Sequence, residues 1–126
     1  MKRILIAEDE PNIVLSLEFL LAEAGYEVFV AGNGTDALEL AGKHRPDLLV
    51  LDIMLPGLNG FEVCRLLRAD PELRDMRILI LTARGREHEI ARGLALGANA
   101  YLTKPFGTHE LLRIVEELLN GSPAGH

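Results

Sequence analysis

Short unbroken apolar runs and longer stretches of periodic apolar residues take turns along this chain. The first run, ILIA at 4–7, has the length of a buried strand. Pro11 then stands at a first helical position, followed by Ile13, Leu17, Leu20, Leu21 and Ala24 at helical spacing. Gly25 stops that helix, and EVFVA at 27–31 reads as a second strand, rich in β-branched and aromatic residues. Asn33 has the side chain to cap a helix running through Lys43, with Asp36 at its third position, and Pro46-Asp47 leads into a third strand, LLVLD at 48–52. Asn59 caps the next helix, which carries Phe61, Val63, Leu66 and Leu67 and frays by Asp70 and Pro71. RILIL at 77–81 is the fourth strand, and residues 86–96 form a weaker helix. Gly93 in its interior costs about 1 kcal/mol relative to Ala, which makes this helix the most pliable element. Residues 100–103 are a short fifth strand, and 108–120 a last helix with Leu111, Leu112, Val115, Leu118 and Leu119 on its inner side.

Five strands alternating with five helices build right-handed βαβ units. The fold expected is therefore α/β: a doubly wound, open parallel sheet with helices on both faces. Strands that are apolar almost throughout fit burial on both sides. A chain of 126 residues suffices for one core without disulfides or structural metals. Residues 1–120 are expected to form that domain, with GSPAGH at 121–126 a flexible tail or truncated linker.

Composition narrows the classes. Apolar residues make up 48% and charged residues 25% of the chain, values of a globular and not a disordered protein. No apolar run approaches the length of a membrane span, and MKRILIAEDE turns acidic too soon for a secretory signal. The single Cys64 cannot pair within the chain and reads as a small packed residue in a reducing compartment; the expected location is the cytoplasm. A net charge of -6 argues against direct nucleic-acid binding by this domain.

Ligands of such sheets bind at the carboxyl ends of the strands. Strand one ends in Glu8 and Asp9, strand three in Asp52, strand four in Thr82, strand five in Thr103 and Lys104. Taken singly, each is what a loop or cap would carry. Brought together at one edge, three carboxylates repel one another unless a cation is present, and oxygen ligands with water suit Mg2+. Lys104 adds a positive charge for an anion beside the metal, and Thr82 a hydroxyl donor. Metal, anion and carboxylate together point to phosphoryl chemistry.

Four ordered segments carry a resemblance: IAEDE at 6–10, LDIMLPGLNGFEV at 51–63, LILTA at 79–83 and YLTKPF at 101–106. Over essentially residues 2–120 the chain resembles the receiver domain of two-component response regulators. The resemblance implies a flavodoxin-like (βα)5 sheet of strand order 2-1-3-4-5. It implies Asp52 as phosphoacceptor, with Mg2+ (Mn2+ able to substitute) on Asp9, Asp52 and the Met54 carbonyl, and Glu8 acting largely through water. Lys104 would contact the phosphoryl group, Thr82 would hydrogen-bond to it, and Tyr101 would turn inward as Thr82 moves. The donor would be a histidine kinase or histidine phosphotransfer protein. The domain would be a signalling module and not an enzyme, switching an output face made of the fourth helix, fifth strand and fifth helix, with homodimerisation through that face when phosphorylated.

Further expectations concern individual side chains. Leu15 and Phe19 fall away from the inner stripe of the first helix and are candidates for docking the donor's helices, with partial burial against loops as the plain alternative. Met54 offers no polar group to position water, so the phosphoryl group is expected to last minutes or longer. Asn99 and Ala100 stand where many receivers carry an acidic residue. Arg84, Arg86 and Arg92 read as a solvated helix face, as does Glu87-His88-Glu89. Two other classes compete. A phosphatase or phosphotransferase of the haloacid dehalogenase type wants an acid two residues after its nucleophile, where Met54 stands. A receiver-like binding module that is never phosphorylated would not need Lys104 in a full acidic pocket.

Overall fold

The computed structural model describes residues 1–120. The expected tail at 121–126 lies outside the described residues. Ten elements alternate: β1 (Arg3–Ala7), α1 (Pro11–Glu23), β2 (Glu27–Ala31), α2 (Gly34–His44), β3 (Leu48–Asp52), α3 (Gly60–Ala69), β4 (Arg77–Ala83), α4 (Glu87–Ala95), β5 (Ala100–Lys104) and α5 (Thr108–Leu119). The sheet is parallel throughout, in the order β2-β1-β3-β4-β5. This is the expected doubly wound, flavodoxin-like fold. One boundary moves: β4 runs on to Ala83, because Asp52 pairs with Leu81 and Thr82 with Thr103 in register, so Thr82 lies inside the strand.

Alternation along the strands divides the core in two. Leu5, Ala7, Leu49, Leu51, Ile78 and Ile80 face α2 and α3, where Ala37, Ala41, Phe61, Val63 and Leu67 complete one cluster. Ile4, Ile6, Leu48, Val50, Leu79 and Leu81 face α1 and α5, where Leu17, Leu21, Leu111 and Val115 complete the other. Each Leu, Ile, Val or Phe among them is worth about 1.5 to 3 kcal/mol when removed from water, so the central strands form a stiff platform.

Local chemistry sets where the helices begin. Asn33 Oδ1 accepts from the Asp36 backbone N–H at 2.8 Å, and Asn59 Oδ1 accepts from that of Glu62 at 3.1 Å, each satisfying an orphan donor of a first turn. Gly25 closes α1 in the left-handed region at φ 97°. Gly60 opens α3 for a steric reason. A Cβ there would stand 2.7 Å from Ile53 Cα and 3.0 Å from the Asp52 carbonyl oxygen, so only glycine lets α3 start against the end of β3.

Candidate functional site

The carboxyl ends of β1 and β3 bring Glu8, Asp9 and Asp52 together, with one carboxylate oxygen of each lying within 4.8 Å of the others. Their exposure differs sharply. Asp9 is exposed, Asp52 is buried at 6%, and Glu8 is buried at 1%. β5 delivers the cation. Lys104 Nζ donates to Glu8 Oε1 at 2.8 Å and to Asp52 Oδ2 at 3.3 Å. The peptide after it, Lys104-Pro105, is cis.

Hydrogen bonds hold these groups in place. Glu8 Oε2 accepts the backbone N–H groups of Asp9 and Glu10, both at 3.0 Å, and Asp52 Oδ1 accepts that of Met54 at 3.0 Å. Every buried side-chain polar atom among the described residues has a partner. Burial nevertheless lifts the Glu8 carboxyl above the ordinary value of 4.5, against the pull of Lys104 and the backbone bond at Glu10. For Lys104 burial acts downward, but the bond to Glu8 and the charges of Asp52 and Glu8 outweigh it and raise its pKa above 10.5. The group is an anionic cradle with one internal cation: it offers oxygen ligands to a divalent ion and a carboxylate nucleophile beside an ammonium.

Thr82 is buried at 4%, and its hydroxyl makes a single long contact, 3.5 Å, to the Ala83 carbonyl. Tyr101, one strand further out, is 45% exposed, and Met54 beside Asp52 is 63% exposed. Leu15 and Phe19 are 65% and 66% exposed on α1, so they do not pack under neighbouring loops. A cleft of about 490 Å3 opens next to that helix, lined by Ile13, Ser16, Leu20, Lys104, Pro105 and Phe106 among others. Glu8, Asp9, Asp52 and Lys104 thus meet directly. Thr82 lies in the strand between Asp52 and Lys104, and Tyr101, Leu15 and Phe19 stand away from the cluster.

The sequence-family model described as the response regulator receiver domain matches residues 4–116. The chain belongs to that family. This receiver domain is 44% identical over 121 residues to the alkaline phosphatase synthesis transcriptional regulatory protein PhoP of Bacillus subtilis, a match covering 96% of this chain and 50% of that protein. It spans about half the length of the curated relatives it matches. Among solved structures, a response regulator of Chloroflexus aurantiacus superposes with a TM-score of 0.91 at 39% identity, covering 94% of this chain and 98% of the other. The receiver domain of the sensor histidine kinase PA1611 of Pseudomonas aeruginosa, described with a magnesium ion in its active-site cleft, superposes with a TM-score of 0.88 at 33% identity, covering 95% and 98%. Receiver domains are signalling modules that receive phosphate from histidine kinases. No helix among the described residues is long and apolar enough to cross a membrane.

Two features of the receiver domain escape sequence reasoning. One is the bond of Glu8 to Lys104: Glu8 is the most buried member of the cluster and the nearer partner of that lysine. Arg92, read as part of a solvated face, lies with its guanidinium carbon 4.2 Å above the centroid of the Phe61 ring. No spacing rule connects residues 8 and 104, or 61 and 92; only the topology does.

Proposed function

We propose that Asp52 accepts the phosphoryl group of a histidine kinase or histidine phosphotransfer protein. The observation that carries this reading is the setting of Asp52: a buried carboxylate at the end of the central strand, 3.3 Å from Lys104 Nζ and clustered with Glu8 and Asp9. An Asp52 oxygen attacks phosphorus in line; the O–P bond forms as the N–P bond breaks, and the electron pair returns to the donor's imidazole, which takes up a proton. Lys104 exchanges its carboxylate partners for a phosphoryl oxygen and stabilises the charge developing there. Asp9, Asp52 and the Met54 carbonyl are the groups that would hold Mg2+, or Mn2+ in its place, with Glu8 reached through water. The three carboxylate oxygens within 4.8 Å fit such an ion. A bound divalent cation supplies neutralisation of the phosphoryl oxygens.

The output follows from the neighbouring strands. Thr82, with only its 3.5 Å contact to lose, turns its hydroxyl to the phosphoryl group, and Tyr101 moves from its exposed position into the space released. That change re-forms the face of α4, β5 and α5, where Leu94 and Tyr101 are exposed, and a second phosphorylated copy pairs there. The donor docks on α1 through Leu15 and Phe19, beside the cleft that reaches Lys104. Met54 leaves an attacking water without a polar guide, so the phosphoryl group persists for minutes or longer.

Incubation with Mg2+ and a small acyl phosphate, followed by intact mass and size-exclusion chromatography, tests the reading. Wild type should gain the mass of one phosphoryl group and elute earlier, and Asp52→Ala should do neither. A wild type that gains no mass is a binding module and not a phosphoacceptor.

A further inference from the structure

Helix α4 is fixed at one end and loose at the other. Its C-terminal end is stitched down by Arg68 of α3, whose guanidinium donates to the Gly97 carbonyl at 2.7 and 3.0 Å, to the Met76 carbonyl at 2.6 Å and to Asn99 Oδ1 at 2.9 Å. Asn99 Oδ1 also accepts from the Ile78 backbone N–H at 2.8 Å, and the Asn99 N–H donates to the Ile78 carbonyl at 2.9 Å. The turn after α4 is therefore sewn to both α3 and β4. The N-terminal end has no such fastening. Arg86 at the cap offers the first-turn amides no side-chain acceptor, its guanidinium reaches only Glu89 of the same helix at 3.4 Å, and residues 84–88 are exposed.

Between the two ends, Gly93 is the one buried residue of α4, and a Cβ there would overlap Ile80 Cδ1, so the helix rests directly on β4. Arg92 also reaches across to α3. Its guanidinium covers the Phe61 ring at 4.2 Å, and its charge is felt by the neighbouring Glu62 carboxylate. Arg92 and Phe61 also wall a cleft of about 300 Å3 with Ile53, Met54, Leu55 and Asn59. That cleft borders the loop whose Met54 N–H holds Asp52 Oδ1.

We propose that the Arg92–Phe61 contact is a latch: it holds α4 in the resting position, and its release lets the helix swing out about the Arg68–Gly97 pivot, opening the cleft beside the Asp52 loop. Coupling of that release to phosphorylation rests on the reading of Asp52 given above; the latch does not. Its contribution has a definite scale, since an exposed cation–π contact corresponds to about a two- to fivefold change in an opening equilibrium.

Hydrogen exchange of the full chain, with no phosphodonor present, measures the latch alone. Arg92→Ala should speed exchange of the amides of residues 90–95 about two- to fivefold and leave those of Ile78 and Asn99 unchanged. Phe61→Leu should raise the same amides, and the double variant should go no further, as expected for one shared contact. Because Phe61 is buried and its replacement can lower global stability, Arg92→Lys serves as the surface control and should fall between wild type and Arg92→Ala. Unchanged exchange at 90–95 in Arg92→Ala overturns the latch, as do additive effects in the double variant. An Arg92-dependent exchange in a protein whose Asp52 takes no phosphoryl group supports the latch and removes the phosphoacceptor reading.

Discussion

Lys104→Met keeps most of the lysine stem and deletes its charge, leaving two buried carboxylates without their shared cation. Glu8, 1% exposed, loses a partner at 2.8 Å, and Asp52 loses one at 3.3 Å. Removing one member of a fully buried ion pair costs roughly 3 to 5 kcal/mol. Here the lysine side chain is 23% exposed and Glu8 is able to bind a proton instead, so the expected loss is about 2 to 3 kcal/mol at pH 7. The pH dependence gives the test its edge. A carboxyl raised in the folded state contributes stability that is fully present below its ordinary value and lost as pH rises through the folded value. Glu8 is already raised above 4.5, and without Lys104 it rises further, so the variant's deficit should shrink as pH is lowered from neutral toward 4.5. At the alkaline end Lys104 itself is raised above 10.5. The stability that its raised pKa gives wild type is complete below that value and lost above it, where the two proteins converge. Urea denaturation across this range, without divalent cation, measures the difference directly. Added Mg2+ should then restore more stability to Lys104→Met than to wild type. A variant as stable as wild type at pH 7, or a deficit that ignores pH, would refute the account of the pocket.

Three further outcomes test other parts of the molecule. Gly60→Ala pushes a Cβ into the backbone of Asp52 and Ile53; it should cost about 1 to 3 kcal/mol in thermal unfolding and slow modification of Asp52 by a small phosphodonor, whereas wild-type values would contradict the close packing of α3 on β3. Burial pushes the Cys64 thiol up from 9.0 to about 11, so at pH 8 its thiolate is roughly a hundredfold scarcer than in the unfolded chain, and iodoacetamide should label it at least that much more slowly until urea is added. Leu15→Lys should slow phosphotransfer from a histidine phosphotransfer protein tenfold or so, the factor for about 1.4 kcal/mol of lost docking, with the rate from a small donor unchanged; equal loss of both rates would remove α1 as the docking surface.

What the sequence discloses and what it conceals divide along a physical line. The strands were legible because a parallel sheet buried on both faces demands runs such as LLVL at 48–51, and the caps Asn33 and Asn59 because their oxygens answer to amides three residues ahead. Both are local requirements. The membership of the cluster was legible too, since strand ends converge in such a sheet. The internal pairing was not: which carboxylate Lys104 prefers depends on a few ångströms between β5 and β1, and the closer answer is Glu8. The same holds for Arg68, whose half-buried guanidinium binds the carbonyls of Arg74, Met76 and Gly97 and not an acid, a role that no charge pattern encodes. Thr82 inside β4 instead of just beyond it is a matter of register, which pairing with Thr103 decides.

The bond between Lys104 and Glu8 joins positions 96 apart in the chain. Synthesis runs from the amino terminus, so β1 and β3 emerge with their acids long before β5 supplies the countercharge. An unfinished chain thus carries Asp52 and its acidic neighbours without the residue that balances them. The pocket cannot become whole before the fifth and last strand has joined the sheet. The charge balance of Glu8 and Asp52 is thus itself a product of the finished sheet.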